Sequence, residues 1–235
     1  MRLLFLIAVG IAGFVCQARE VVVLEKTGAA IQRAIDAVAK EGDDCIVMRA
    51  NRSPDGDSDL CEDLEVVNCS LDSSCQAIRL GCPSDGTIRN GYFHKLCITG
   101  NNGILSQHPL HYLQEGTRGS CRMSNLVIED CVIFVRGAPI FFNVEPSITL
   151  GEFGNVTLKN LRIEATKPIV LKGTAETPLV NMRLDDITGR IAAPNPLEVQ
   201  SVTNLVLTNV QLSSGPTRMT PFTWGWKSSS WESIP

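Results

Sequence analysis

Four segments of the chain share one arrangement of polar and apolar positions. Asn125–Asp130, Asn155–Asn160, Asn181–Asp186 and Asn204–Asn209 each run polar, apolar, variable, apolar, variable, polar, and an apolar residue or Cys131 follows. Asp63–Asn68 fits the same frame, and Asn90–Lys95 fits it loosely. The frames start at 63, 90, 125, 155, 181 and 204, in steps of 27, 35, 30, 26 and 23 residues. Apolar residues alternate within each frame, which is the period of a β-strand and not of a helix. Further short apolar runs at Ala77–Leu80, Pro139–Phe142, Pro168–Leu171 and Pro196–Val199 read as second strands within the period. A strand unit repeating at 20–50 residues cannot bury its apolar face alone, and about three or more must stack. A β-sandwich is the competing arrangement, but its strands recur at about 8–12 residues without a long-period motif. The pattern therefore predicts an all-β fold, a right-handed parallel β-helix of about six coils over 43–212.

The segment Gly28–Lys40 departs from this period. Ile31, Ala34, Ile35 and Val38 form the apolar stripe of an amphipathic helix, with Thr27 as its N-cap. The expectation is a helix that caps the N-terminal end of the stack, within a segment 19–42. At the other end Trp224, Trp226 and Trp231 fall in a tail or cap, 213–235. Tryptophan there either packs against the last coil or stacks on sugar.

Composition narrows the setting more than the chemistry. At 44% hydrophobic and 20% charged, the 235 residues have ample apolar content for a core. A net charge of −4 implies no basic surface, so nucleic acid is not an expected partner. Arg2, the apolar run Leu3–Val15 and the small residue Ala18 make a secretory signal peptide over 1–18. No later run is long and apolar enough to span a bilayer, so the expectation is a secreted monomer without a membrane partner.

Nine cysteines are present, and eight remain once Cys16 is removed with the signal peptide. Export permits disulfides, and eight cysteines allow 105 pairings. Cys45 and Cys75 are about one period apart, and Cys69 and Cys131 follow the second polar anchor of their frames. These four suit stacking in the interior. Cys61, Cys82, Cys97 and Cys121 lie nearer loops and are expected to bridge. No Cys-x-x-Cys pair suggests zinc, and Asp55–Asp59 lacks the glycine and the final glutamate of an EF-hand loop, so no metal or cofactor is expected. Asn51, Asn68 and Asn155 begin glycosylation acceptors that matter only in a glycosylating host.

Gly42-Asp43-Asp44-Cys45 and Cys75-Gln76-Ala77-Ile78-Arg79-Leu80-Gly81 carry a resemblance. They are similar to two segments of the polygalacturonase family of glycoside hydrolases, right-handed β-helix enzymes that cleave pectin backbones. In that family the first segment bears catalytic carboxylates, and the second bears a histidine where this chain has Gln76. Ala29–Asp36 is similar to the family's N-terminal capping helix. The family's Asn-Thr-Asp segment is absent, as is its Arg-Ile-Lys, for which Gly103–Gln107 is the nearest counterpart. The resemblance spans about 26–212 and implies a shortened, impaired enzyme lacking N-terminal coils.

Inverting hydrolysis needs one carboxylic acid for the leaving oxygen and a carboxylate for water, about 6.5–9.5 Å apart. Strands in adjacent coils are separated by about 4.8 Å, so residues one or two coils apart meet that distance. The resemblance implies Asp44 as the general acid and Asp43 as a partner in activating water. Read on its own, Asp43-Asp44 is a turn after a helix, with Gly42 as the C′ residue. Gln76 and Arg79 are the expected substrate contacts beside the cleft, Arg79 pairing with a uronate carboxylate. A surface salt bridge is the alternative for Arg79. His108, in a long loop expected over 99–120, is a further candidate contact. The expected substrate is an acidic, pectin-like polysaccharide. A non-catalytic carbohydrate-binding or structural β-helix is the alternative. A polysaccharide lyase would want calcium carboxylates and a basic residue, a set not found.

Overall fold

The fold follows from what happens at the two polar anchors of each frame. The computed structural model describes residues 44–50, 60–81, 84–108, 121–146 and 148–216. In it Asp63, Asn68, Asn90, Lys95, Asn125, Asp130, Asn155, Asn160, Asn181, Asp186, Asn204 and Asn209 all have φ between 46° and 57°. These are the first and last positions of all six frames. Asparagine and aspartate tolerate this left-handed region because their short polar side chains hydrogen-bond locally.

One left-handed residue shifts the in–out alternation by one. In the strand Arg122–Val135, Leu126 and Ile128 are buried, Asp130 is exposed, and Cys131, Ile133 and Val135 are buried again. A flat strand would have turned residue 130 inward and 131 outward. The frame is therefore a strand with a corner at each end, and the chain keeps an apolar inner side around both corners.

Twelve strands result: β1 Ile46–Met48, β2 Leu60–Val67, β3 Ser70–Leu80, β4 Thr87–His94, β5 Cys97–His108, β6 Arg122–Val135, β7 Ile140–Val144, β8 Glu152–Ala165, β9 Ile169–Lys172, β10 Leu179–Ile191, β11 Leu197–Gln200 and β12 Val202–Ser214. Every pairing is parallel, within one 12-stranded sheet. The frames stack in register along β2, β4, β6, β8, β10 and β12. The second strands read from the sequence, in β3, β7, β9 and β11, form another stack together with β1 and β5. Cys97–Gly100 of β5 pairs with Val132–Val135 of β6, which joins the two stacks.

The corner side chains also pair from one pass of the chain to the next. Asn90 Nδ2 donates to Asp63 Oδ1 at 3.0 Å, and Asn125 Nδ2 to Asn90 Oδ1 at 3.3 Å. Asn181 donates to Asn155 at 2.8 Å, and Asn204 to Asn181 at 2.9 Å. At the second corner Asn160 donates to Asp130 and Asn209 to Asp186, both at 2.7 Å.

The core is built of inward columns, one of which runs Val66, Phe93, Ile128, Leu158, Leu184 and Leu207. Gly91 replaces an apolar residue in the neighbouring column. A Cβ there would lie 2.9 Å from the Phe93 ring, so the larger ring fills the space that the glycine leaves.

Three expectations are revised. The loop placed over 99–120 begins later, because β5 continues to His108. Cys45 does not stack on Cys75: its N–H donates to Gln76 O at 3.1 Å, and Ile46 pairs with Ile78, which sets Cys45 beside Ala77. Cys61 and Cys97, expected to bridge, carry free thiols. Cys69 and Cys131 are buried as expected, in one column but with Leu96 between them. The helix expected over 28–40, the segment 1–18, Asp55–Asp59, Cys82 and the three tryptophans lie outside the described residues, among which there is no helix.

Candidate functional site

Asp44 stands just before β1, with only 3% of its surface exposed. Two strand positions meet it. The backbone N–H of Gln76 donates to Oδ1 at 3.0 Å, and Arg79 Nη1 lies 3.0 Å from Oδ2. The Gln76 side-chain amide also faces this carboxylate, and with its NH2 turned inward it donates to both oxygens. Gln76 and Arg79 reach one carboxylate because β3 lies beside β1 in register, Ile78 opposite Ile46 and Arg79 opposite Val47. Three of the residues singled out in the sequence are thus brought together. Arg79 forms a partly buried ion pair with Asp44.

A β-bulge sets the aim of Gln76. The register between β3 and β5 shifts between Ser73 and Gln76, and Ser73 Oγ accepts the Cys75 N–H at 2.9 Å. An extra residue in one strand bends it locally and re-aims the side chains beyond it. On the next pass Asn102 pairs with Gln76; its Nδ2 donates to Cys75 O at 3.1 Å, and its Oδ1 accepts the Ala138 N–H at 3.0 Å. Asp44, Gln76 and Asn102 therefore form a polar column running across β1, β3 and β5. Asn102 was missed in the sequence, although its position one period after Gln76 was a usable signal.

Cys45, next to Asp44, is no nucleophile. Burial pushes its thiol up to about 12, and the nearby charges of Asp72 and Asp44 add to the rise. A thiol held protonated is inert, because the thiolate is the reactive form. Asp43 lies outside the described residues.

His108 takes no part in this cluster. It ends β5, its ring is buried, and its Nε2 lies 3.0 Å from Ser106 Oγ. The ring meets Phe153 edge-on, with centroids 6.3 Å apart.

A second polar group sits on the outer side of β4. The rings of Tyr92 and His94 stack with centroids 4.2 Å apart. His94 Nε2 lies 3.0 Å from Glu65 Oε1, and the Tyr92 hydroxyl donates to Glu129. That hydrogen bond raises the tyrosine hydroxyl to about 12. Lys159 Nζ is 3.8 Å from the other Glu129 oxygen.

No three of histidine, cysteine, aspartate and glutamate gather as a metal set among the described residues. No protein-family model matches the chain, and no curated protein matches it in sequence.

Proposed function

We propose that the stacked parallel strands form a right-handed parallel β-helix of polygalacturonase type, exported by its signal peptide and acting on pectin-like acidic polysaccharide. Hydrolysis is assigned to Asp43 and Asp44, with Gln76 and Arg79 as substrate contacts; His108, which contacts Ser106 and Phe153 and not this cluster, is left out. The observation that carries this reading is the buried Asp44 carboxylate at the start of β1, held against Gln76 and Arg79 of the next pass. Asp44 and Cys45 of the first resembling segment lie beside Gln76 and Ala77 of the second, as a shared site requires.

The test is reducing-sugar release from polygalacturonate by the full chain and by Asp44→Asn. A positioned acid or base contributes about 10²- to 10⁴-fold. The reading expects release by the native chain and a loss of at least about 100-fold in the variant. No release from folded native chain overturns it.

A second reading, a non-catalytic carbohydrate-binding β-helix, rests on a specific observation. Both oxygens of Asp44 already face donors, one from Arg79 and one from Gln76. An acid catalyst has to present a proton to a leaving group, and this carboxylate presents none. The outer Tyr92 and His94 rings, flanked by Glu65 and Glu129, offer an apolar surface with acceptors at its edges. This reading expects retention on a pectin gel without sugar release, with retention weakened by Tyr92→Ala and unchanged by Asp44→Asn.

A further inference from the structure

Past the second corner of each frame, β6, β8 and β10 turn a different set of side chains outward from the set that includes Tyr92 and His94. Val132, Phe134, Arg162, Glu164, Thr188 and Arg190 are exposed or half-buried there, while Ile133 and Ile163 between them are buried. The register sets Phe134 beside Glu164 and Glu164 beside Arg190, with Arg162 two residues back along β8. Arg136 directly follows β6 and is exposed. We propose that this face is a docking surface for a uronate-bearing polysaccharide chain, with Phe134 as a stacking platform and Arg136, Arg162 and Arg190 as partners for carboxylates. The ligand class rests on the preceding reading of what the protein acts on; the site is a separate one, on other strands than Asp44, Gln76 and Arg79.

The distribution of charge carries the argument. Before the corner, Arg89, Arg122, Lys159 and Arg183 pair with Glu62, Glu152, Glu129 and Asp185. Past it, Arg136, Arg162, Lys167 and Arg190 form no ion pair among the described residues. Glu164 is the only carboxylate in the stretches 131–136, 161–167 and 187–191. A chain of net charge −4 thus keeps an uncompensated cationic strip on one face. Such a strip raises the local concentration of a polyanion.

The neighbours of these cations select the polyanion. Adjacent strands lie about 4.8 Å apart and residues two apart on a strand about 6.6 Å, so Arg162 and Arg190 stand on a diagonal of about 8 Å. A guanidinium takes a carboxylate through two parallel hydrogen bonds. Phe134, half-buried at the edge of this diagonal, offers a flat apolar ring to the apolar side of a sugar. Glu164 accepts hydrogen bonds and donates none when ionised. A sugar chain supplies hydroxyl donors to it alongside carboxylates, whereas the phosphate backbone of DNA supplies only acceptors.

The test is calorimetric titration of the full chain with a galacturonate oligomer, beside the double variant Arg162→Gln/Arg190→Gln. On later passes Thr188 and Gln211 occupy the Arg162 column and Ser213 the Arg190 column. Uncharged polar residues therefore fit both positions, and the variant is expected to fold, which circular dichroism checks. The native chain should bind, less tightly as salt rises. The variant should bind at least about fivefold more weakly, with a flatter salt dependence. Phe134→Thr should weaken binding to the same degree at every salt concentration. No binding by the native chain overturns the proposal, as does equal affinity in the arginine variant or equal affinity for the uncharged methyl-esterified oligomer. Loss of binding in Tyr92→Ala with full binding in the arginine variant also overturns it. Tighter binding of single-stranded DNA would give the face to nucleic acid, and self-association abolished by the arginine substitutions would give it to a second copy; either result overturns it. Sugar release is scored apart from affinity. Release by the native chain with no loss of affinity in the variant strikes this face and leaves the hydrolase reading standing, and loss of affinity without any release does the reverse.

Discussion

Asn181 lies in the middle of a corner ladder, where its side chain donates to Asn155 and accepts from Asn204. Its φ is 55°, so two separate effects hold it. An L-residue without a local polar side chain pays about 1–2 kcal/mol for the left-handed region, and a net hydrogen bond contributes about 1 kcal/mol. Asn181→Ala should therefore lower stability by about 2–3 kcal/mol, and Asn181→Gly by about 1 kcal/mol less, read from urea midpoints. Lys95 shows the converse. It occupies a corner at φ 55° where the other frames have asparagine or aspartate. Lys95→Asn should stabilise the fold by about 0.5–1 kcal/mol, because the strain is relieved without loss of packing. His108 makes stability depend on pH. Its folded value of about 4 is below the ordinary 6.5, so the unfolded chain binds the extra proton first. Its contribution is complete above pH 6.5 and is lost as pH falls toward 4, by roughly 3 kcal/mol. Denaturation at pH 7, 5.5 and 4 should show a shallower acid slope for His108→Gln than for the native chain.

At the scale of the element, β1 has three residues and, among the described strands, pairs only with β3. So short a strand is marginal by its ladder alone, and the Asp44–Arg79 pair ties its start to the sheet. Removing one partner of a buried ion pair costs about 3–5 kcal/mol, because the other charge is left uncompensated. Arg79 is 23% exposed, so the smaller figure applies. Arg79→Met should cost about 2–3 kcal/mol, and adding Asp44→Asn should recover part of it, a coupling that a double-mutant cycle measures. The strands of the frames were legible because alternation and corner residues coincide: asparagine or aspartate stands where φ turns positive. The second half of β5 was not. Gly100, Asn101, Asn102 and Gly103 read as a turn, yet the strand runs through them because Asn102 bonds the backbone on both sides, at Cys75 and at Ala138. Cysteine placement was legible only in part, because spacing in a solenoid with unequal steps does not set register. Cys45 and Cys75 are one period apart, but Asp44 and Gln76 are the residues that meet. The partner of Arg79 was not legible, since sequence shows the charges but not that the acceptor within reach is the buried Asp44.

In the whole molecule, stability is carried by contacts between successive passes, so the two ends of the stack are not equivalent to its middle. The column Val66, Phe93, Ile128, Leu158, Leu184 and Leu207 shows this directly. Its first five members are at most 1% exposed, whereas Leu207 is 49% exposed. Val206 at 47% and Val199 at 44% lie on the same terminal pass, β11 and β12. The side chain and strand geometry repeat, but no later described strand lies against β12, so the same residue type contributes less there. Truncating a fully buried leucine costs about 2–5 kcal/mol, through lost transfer energy and the cavity left behind. Leu158→Ala should fall in that range, while Leu207→Ala should cost under about 1 kcal/mol, since water already reaches it and no closed cavity forms. Local opening should follow the same gradient, because regions with few buried apolar contacts open at free energies below that of global unfolding. Native-state hydrogen exchange should therefore show the amides of β12 exchanging before those of β6 and β8. Leu207→Ala should speed exchange in β12 alone, whereas Leu158→Ala should speed it throughout the stack. Uniform protection from β6 to β12, or equal costs for the two truncations, would show that the terminal pass is covered as fully as the interior ones.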